Sequence, residues 1–221
     1  LADQNLDEYN IIHIQGTMGS AAQIGRTAAM DKKVKEDSKW NMVVQQTASW
    51  DATTAQQIVQ GAIDAGKKFN VIYAENDDMA KGAVAALEAN NISHGVGKDV
   101  IIMGYDCNKY ALKNLLDKTW NYDGQCNPFQ ASTIQDIIKK LENGETLDQK
   151  VVIMEEKGFD AETITYTVEL AKDYKFNKIV FRKDNIQIPE AETTVPADGQ
   201  YFVRIRATST SGQKQDAFDY Y

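Results

Sequence analysis

The sequence predicts an α/β protein: a doubly wound parallel sheet followed by a C-terminal antiparallel β appendage. Three observations carry this. Apolar strand-like runs alternate with amphipathic helical stretches up to about Leu141. The spacing from strand to strand leaves room for a crossover helix each time. After Tyr174 the helical period gives way to short runs that alternate apolar and polar residues.

The unit is clearest in Asn70 to Leu87. Val71, Ile72 and Tyr73 form a short β-favouring run. Glu75-Asn76-Asp77-Asp78 then offers capping side chains and negative charge at the positive end of a helix. Met79, Ala83, Ala86 and Leu87 recur at i, i+4, i+7 and i+8, so one helix face packs on the sheet. Ligands of open α/β sheets gather at the carboxyl ends of the strands. Asn76 sits at such an end and is a candidate ligand contact; the alternative is a plain helix cap.

The other units follow in order. Residues 11–15 (IIHIQ) read as a strand, Gly16-Thr17-Met18-Gly19 as a turn, and Ser20 as the cap of a helix reaching Glu36. Residues 41–46 form a second strand, and 51–65 a helix burying Ile58, Ala62 and Ile63. Residues 99–105 (DVIIMGY) form a fourth strand, with a helix from Asn108 to Asp117. Consecutive units of this kind imply parallel strands joined by right-handed crossovers. A fifth strand is expected near 122–126 and a helix over 130–141, stopped by Asn143-Gly144. Beyond Tyr174, strands are expected at 178–182, 186–188, 201–207 and from 217, with turns at Ala197-Asp198-Gly199 and Ser211-Gly212. The change of texture places a domain boundary near residue 176, dividing an α/β lobe, 1–175, from a β-rich segment, 176–221.

Composition narrows the function. A chain of 221 residues with 43% hydrophobic content supports one α/β core plus an appendage. The net charge of −8 argues against nucleic acid or an anionic membrane surface as partner. No apolar run is long enough to span a bilayer, so membrane insertion is not expected. The opening Leu1-Ala2-Asp3-Gln4 has no leader pattern, as expected of a mature, processed or trimmed start. With two cysteines and two histidines, a soft-ligand metal site is not expected. Cys107 and Cys126 leave two alternatives open, a disulfide or two half-buried thiols.

Five segments, in order, resemble a known family. They are Gln15-Gly16-Thr17-Met18-Gly19-Ser20-Ala21-Ala22 with Arg26 beyond it; Trp50-Asp51; Tyr73-Ala74-Glu75-Asn76-Asp77-Asp78-Met79-Ala80-Lys81-Gly82-Ala83; Met103-Gly104-Tyr105-Asp106; and Cys126-Asn127-Pro128-Phe129. Together they look like the second lobe of the periplasmic sugar-binding proteins of the ribose- and galactose-binding type, which serve ABC importers. The cysteine-containing fifth segment is most similar to the galactofuranose- and aldose-binding branch. The resemblance implies a monosaccharide ligand, importer membrane subunits as partners and a periplasmic or extracellular location, with or without a lipid or wall anchor. It implies no catalysis and no cofactor. It also implies that the family's first lobe has no counterpart here, and that residues 127–142 would pack on it. Asp198 to Ala207 resembles closing strands of a bacterial fibronectin-III or immunoglobulin-like module.

Sugar recognition needs planar groups that pair with vicinal hydroxyls and an aromatic plate for the C–H face of the ring. Arg26 supplies a rigid two-donor fork, Asp106 accepts hydroxyl protons, and Asn76 both donates and accepts. Trp50 is the plate. The resemblance adds a polar contact from the inter-lobe strand, among Gln125, Cys126 and Asn127, with Gln125 and Asn127 carried forward. Each has a structural alternative: a solvated helix arginine for Arg26, a core residue for Trp50, an N-cap of the helix at Asn108 for Asp106. Glu75 is read mainly as support for its turn.

Two other functions share such a sheet. A Rossmann-like sugar-processing enzyme would need a phosphate loop, and Gly16-Thr17-Met18-Gly19 lacks the third glycine. The effector-binding domain of a lac-repressor-type regulator remains the main alternative; the acidic charge and the β tail disfavour it.

Overall fold

The computed structural model describes residues 6–127, 130–147, 156–160, 164–186, 193–194, 199–209 and 214–220. Its core is a six-stranded sheet in the order β2-β1-β3-β4-β5-β6. The strands are β1 (Tyr9–Gln15), β2 (Trp40–Thr47), β3 (Val71–Ala74), β4 (Ile101–Asp106), β5 (Tyr122–Gln125) and β6 (Gly158–Asp160). The first five are parallel, and β6 closes the edge antiparallel to β5. Between them lie α1 (Ala21–Glu36), α2 (Ala52–Asp64), α3 (Asp77–Ala89) and α4 (Lys109–Leu116); α5 (Ala131–Glu142) follows β5.

Period-two alternation along the strands divides the core in two. Ile11, Val71, Tyr73, Ile101 and Met103 face the side that holds Met30 of α1. Ile12, Ile14, Ile72 and Ile102 face the other side, with Val59 of α2, Met79 and Leu87 of α3, and Leu115 of α4. Both faces are covered because parallel strands bury both. The helices begin where their caps are. Ser20 accepts from the Gln23 N–H, and Asp51 from the Thr54 N–H at 2.7 Å.

Helices α2 and α3 approach so closely that one glycine is obligatory. A Cβ on Gly82 would lie 2.0 Å from the Ala52 carbonyl oxygen, which is backbone and cannot rotate away. Gly82→Ala should therefore separate the two helices and cost about 1–3 kcal/mol of stability. A lower urea midpoint at unchanged slope would register it, and an unaltered midpoint would contradict this packing.

The antiparallel sheet has the order β10-β9-β7-β8, built from β7 (Ile164–Ala171), β8 (Ile179–Ile186), β9 (Phe202–Ser209) and β10 (Lys214–Tyr220). It starts upstream of residue 176, the boundary suggested by the sequence: β7 carries period-two alternation of its own and pairs with both β8 and β9. The runs expected at 178–182 and 186–188 begin as one strand, β8, interrupted in register but not in course. The sheet is docked on the α/β core. Tyr166 is buried in the core on the α4 side, with Ile186 and Ile205 packed beside it, and its hydroxyl donates to the Leu112 carbonyl at 3.2 Å. On the same strand the buried Glu169 accepts from Arg182 at 3.1 Å and from Arg204 at 2.7 Å.

Helix α5 is amphipathic but leaves Ile134, Ile138 and Leu141 about half exposed. Pro128-Phe129, residues 187–188, Ala197-Asp198 and Ser211-Gly212, for which the sequence suggests turns or strands, lie outside the described residues.

Candidate functional site

The parallel strands end on one edge of the sheet, and the residues following β1 to β5 meet there. Their common support is Glu75, fully buried after β3. Its carboxylate accepts from the Gly16 N–H at 2.8 Å, lies 2.9 Å from His13 Nε2, and accepts from the Thr27 hydroxyl at 2.5 Å. It thus ties the β1 turn, strand β1 and helix α1 to the end of β3.

Arg26 of α1 is 12% exposed and spans the ends of β3 and β4. One amino group donates to the Glu75 carbonyl, and Nη2 lies 3.4 Å from Asp106 Oδ1. The guanidinium rests 4.7 Å from the centroid of the Tyr105 ring, so it is held in a plane by contacts on three sides. Arg26 is not the solvated helix arginine that its position alone would allow. Asp106 is partly exposed, and burial raises its carboxyl above the ordinary carboxylate range while Arg26 opposes the rise. It does not cap α4: the Asn108 N–H donates instead to Asp77 Oδ2 at 2.8 Å.

Backbone strain falls on the same residues. Asp106 and Cys107 have φ of 116° and 57°, and Ser49 and Trp50 have φ of 52° and 70°. Side chains in this left-handed region each cost about 1–3 kcal/mol, a cost that recurs where a side chain must be aimed. The Trp50 indole lies directly over Gly16, where an added Cβ would fall 2.0 Å from the ring. It is half-buried against the core on the α2 side, which combines the plate and core readings.

Asn76 caps α3, its Oδ1 accepting from the Met79 N–H at 2.9 Å, and it is 8% exposed. The cap reading is therefore realised, and a ligand would meet chiefly the Nδ2 amide. Gln125 pairs with Asp106 in strand register, but its side-chain oxygen accepts from the Lys157 N–H at 3.1 Å. The Asn127 N–H donates to Glu156 at 3.0 Å. The Gln125 side-chain oxygen is thus committed to the segment ahead of β6, and Asn127 is tied to that segment through its backbone. Burial raises the thiol of Cys126, with the charge of Asp106 adding to the rise and Arg26 opposing it. Cys126 and the buried Cys107 are both free thiols.

Behind the Asp106 turn lie two buried carboxyl groups, Asp77 at the start of α3 and Asp123 on β5. Burial pushes Asp77 up to about 7, with the Asn108 amide and a hydrogen bond from Asp123 opposing the rise, while burial and the charge of Asp77 raise Asp123 well above its ordinary value. Among the described residues no group of three His, Cys, Asp or Glu is placed to hold a metal. No helix among them is long and apolar enough to cross a membrane. A separate groove of about 330 Å³ lies between β2 and α2, walled by Val44, Gln46, Ile58 and Lys67. Its walls carry one cation and no carboxylate, a poorer match to vicinal hydroxyls than the strand-end crevice.

This architecture has relatives. A family described as "Periplasmic binding protein domain" matches residues 1–146. The chain belongs to it. Among curated members, the fructose import binding protein FruE of Bifidobacterium longum is 30% identical over 157 residues, 70% of this chain and 46% of its own. The galactofuranose-binding protein YtfQ of Escherichia coli is 23% identical over 167 residues, 74% of this chain and 52% of its own. A solved Mycobacterium smegmatis protein in complex with β-D-fucofuranose is 28% identical with a TM-score of 0.64, covering 72% of this chain and 53% of its own. The chain spans about half the length of the curated relatives that it matches.

Proposed function

We propose that this periplasmic-binding-protein chain binds a monosaccharide without catalysis, as part of the solute-binding component of an ABC sugar importer outside the cytoplasmic membrane. The observation that carries the proposal is the Arg26–Asp106 pair at the strand ends, set over Tyr105 and anchored on the Glu75 carbonyl that precedes Asn76. A planar donor fork next to a carboxylate matches the donor and acceptor pattern of adjacent hydroxyls. Trp50 offers the apolar plate, while Gln125 and Asn127 hold the β5 strand end in place. Relatives named for galactofuranose and fructose binding, and a neighbour holding a fucofuranose, support a sugar as the ligand. The antiparallel sheet fits a fibronectin-III or immunoglobulin-like module beginning near residue 164.

One wall of a crevice binds weakly. Each solvent-exposed hydrogen bond to a sugar hydroxyl is worth about 1 kcal/mol or less, and stacking on Trp50 about another 1 kcal/mol. Association costs at least about 4 kcal/mol. Calorimetry of this chain with L-arabinose, D-galactose, D-ribose and D-fructose should therefore find millimolar dissociation constants or weaker, about 4 kcal/mol at best. In the longer relatives the remaining length would supply a second wall and close on the sugar. Micromolar binding by this chain alone would contradict the one-wall reading.

A further inference from the structure

We propose that Asp77 and Asp123 are positioning residues that share one proton, and that this proton holds the strained turn aiming Asp106 into the crevice. The inference rests on the sugar-binding reading for its consequence, though not for its structural core.

The turn is held from behind by these two side chains. Asp123 Oδ1 accepts from the Cys107 N–H at 3.4 Å, and Asp77 Oδ2 accepts from the Asn108 N–H at 2.8 Å. These are the two amides that follow Asp106, and both Asp106 and Cys107 sit at positive φ. Aspartate tolerates positive φ better than most residues but cysteine does not, so the acceptors behind the turn contribute to holding the pair there.

The other two oxygens present a conflict that one proton resolves. Asp77 Oδ1 and Asp123 Oδ2 are buried and no donor reaches them, and the two carboxyl groups are neighbours: they hold consecutive amides, and Asp77 Oδ1 lies against Gly104, the strand-register partner of Asp123. Two carboxylates placed so would repel. A carboxyl and a carboxylate bond instead, the proton filling the place of the missing donor. The surroundings admit no easy alternative: Gly104 and Trp120 close the site, and a Cβ on Gly104 would fall 2.6 Å from Asp77 Oδ1.

The groups facing the pair are acidic or neutral. Asp78 lies on α3 and Asp106 and Cys107 on the turn; each adds negative charge on ionisation, and Glu156, ahead of β6, acts on the turn itself. Tyr105 and Tyr122 on the strands face Asp123, and Tyr110 on α4 faces Asp77. The nearby cation, Arg26, is engaged with Asp106 on the crevice side.

The sign follows. The folded pair binds a proton that the unfolded chain, with ordinary carboxyl groups, releases at lower pH. Stability is therefore fullest below the unfolded value and is lost as pH rises through the folded one. Above that step both groups are charged, they separate, and the Cys107 and Asn108 amides lose their acceptors.

The test is a carbon-13 NMR titration of the Asp77 and Asp123 carboxyls in the full chain, from about pH 2.5 to about pH 9, so that an ordinary carboxyl step falls inside the range. Exchange protection of the Cys107 and Asn108 amides, relative to intrinsic rates, is followed alongside. The pair should titrate in two separated steps, with protection falling about tenfold or more through the upper one. In Asp77→Asn the amide keeps both bonds without a proton, so the upper step should vanish and protection persist. Should that variant fail to fold by circular dichroism, Asp123→Asn serves the same purpose. Two ordinary carboxyl titrations, or an upper step that leaves the amides protected, would overturn the proposal. A titration of L-arabinose and D-galactose across the same range reads the consequence. Affinity should fall through the upper step in the native chain and stay level in Asp77→Asn; an affinity blind to that step overturns the link to Asp106. Absence of sugar binding at every pH would sink the sugar reading instead, with the carboxyl and amide data still deciding the shared proton.

Discussion

Replacing Glu75 with alanine should cost about 3–5 kcal/mol of stability, the range for removing one member of a buried, paired polar network. The residue is completely buried, and its carboxylate meets the Gly16 N–H, the Thr27 hydroxyl and the His13 ring. Truncation leaves these groups buried without their acceptor, and each such loss costs about 1–3 kcal/mol. The damage would not stay local. The β1 turn, over which Trp50 lies, and helix α1, which carries Arg26, are both tied to β3 through this side chain. Glu75→Gln should recover only part of the loss, because its amide nitrogen brings a donor against donors. Urea unfolding at constant slope measures both variants; a loss below about 1 kcal/mol for Glu75→Ala would mean that the network is not what holds the strand ends together.

The second large effect concerns binding. Arg26→Met keeps an apolar stem over the Tyr105 ring but removes the donor fork facing Asp106. Hydrogen bonds from a charged donor are worth about 1.5–3 kcal/mol, so sugar affinity should fall by about tenfold to a hundredfold. Asp106 should change too. Burial already raises its carboxyl, and the arginine is what opposes the rise, so its pKa should climb further in the variant. If Arg26 and Asp106 recognise the ligand together, Arg26→Met and Asp106→Asn will not add, and the cycle will show a coupling of about 0.5–3 kcal/mol. Additive losses would assign them separate roles.

Strands β1, β3 and β4 were legible in the sequence because each buried parallel strand leaves a short apolar run beside a polar turn, whereas β2 is half exposed and β5 reads Tyr122-Asp123-Gly124-Gln125. Strand β6 left no such signal, since Gly158-Phe159-Asp160 is three residues long and buries only Phe159. Strand β7 did leave one. Apolar Tyr166, Val168 and Leu170 alternate with polar Thr165, Thr167 and Glu169, although the change of texture that suggests β structure is marked only beyond Tyr174. The site was legible where chemistry and topology coincide, as at Arg26 and Asp106. It was less so where one side chain does structural work, as with the capping Asn76. Pairing of β5 with a distant segment commits the Gln125 side-chain oxygen to the Lys157 N–H, and no local pattern encodes a partner about thirty residues away.

The most direct test of the central claim is a nitrogen-15 NMR titration of this chain with L-arabinose, D-galactose, D-ribose and D-fructose at up to about 100 mM, enough to populate a millimolar site. The account predicts that at least one sugar shifts the Trp50 indole, the Asn76 side-chain amide, the Arg26 guanidinium and the backbone around Asp106 and Cys126 together, with one dissociation constant. Shifts confined to the groove of Val44, Gln46 and Lys67, or none with any of the four sugars, would contradict it.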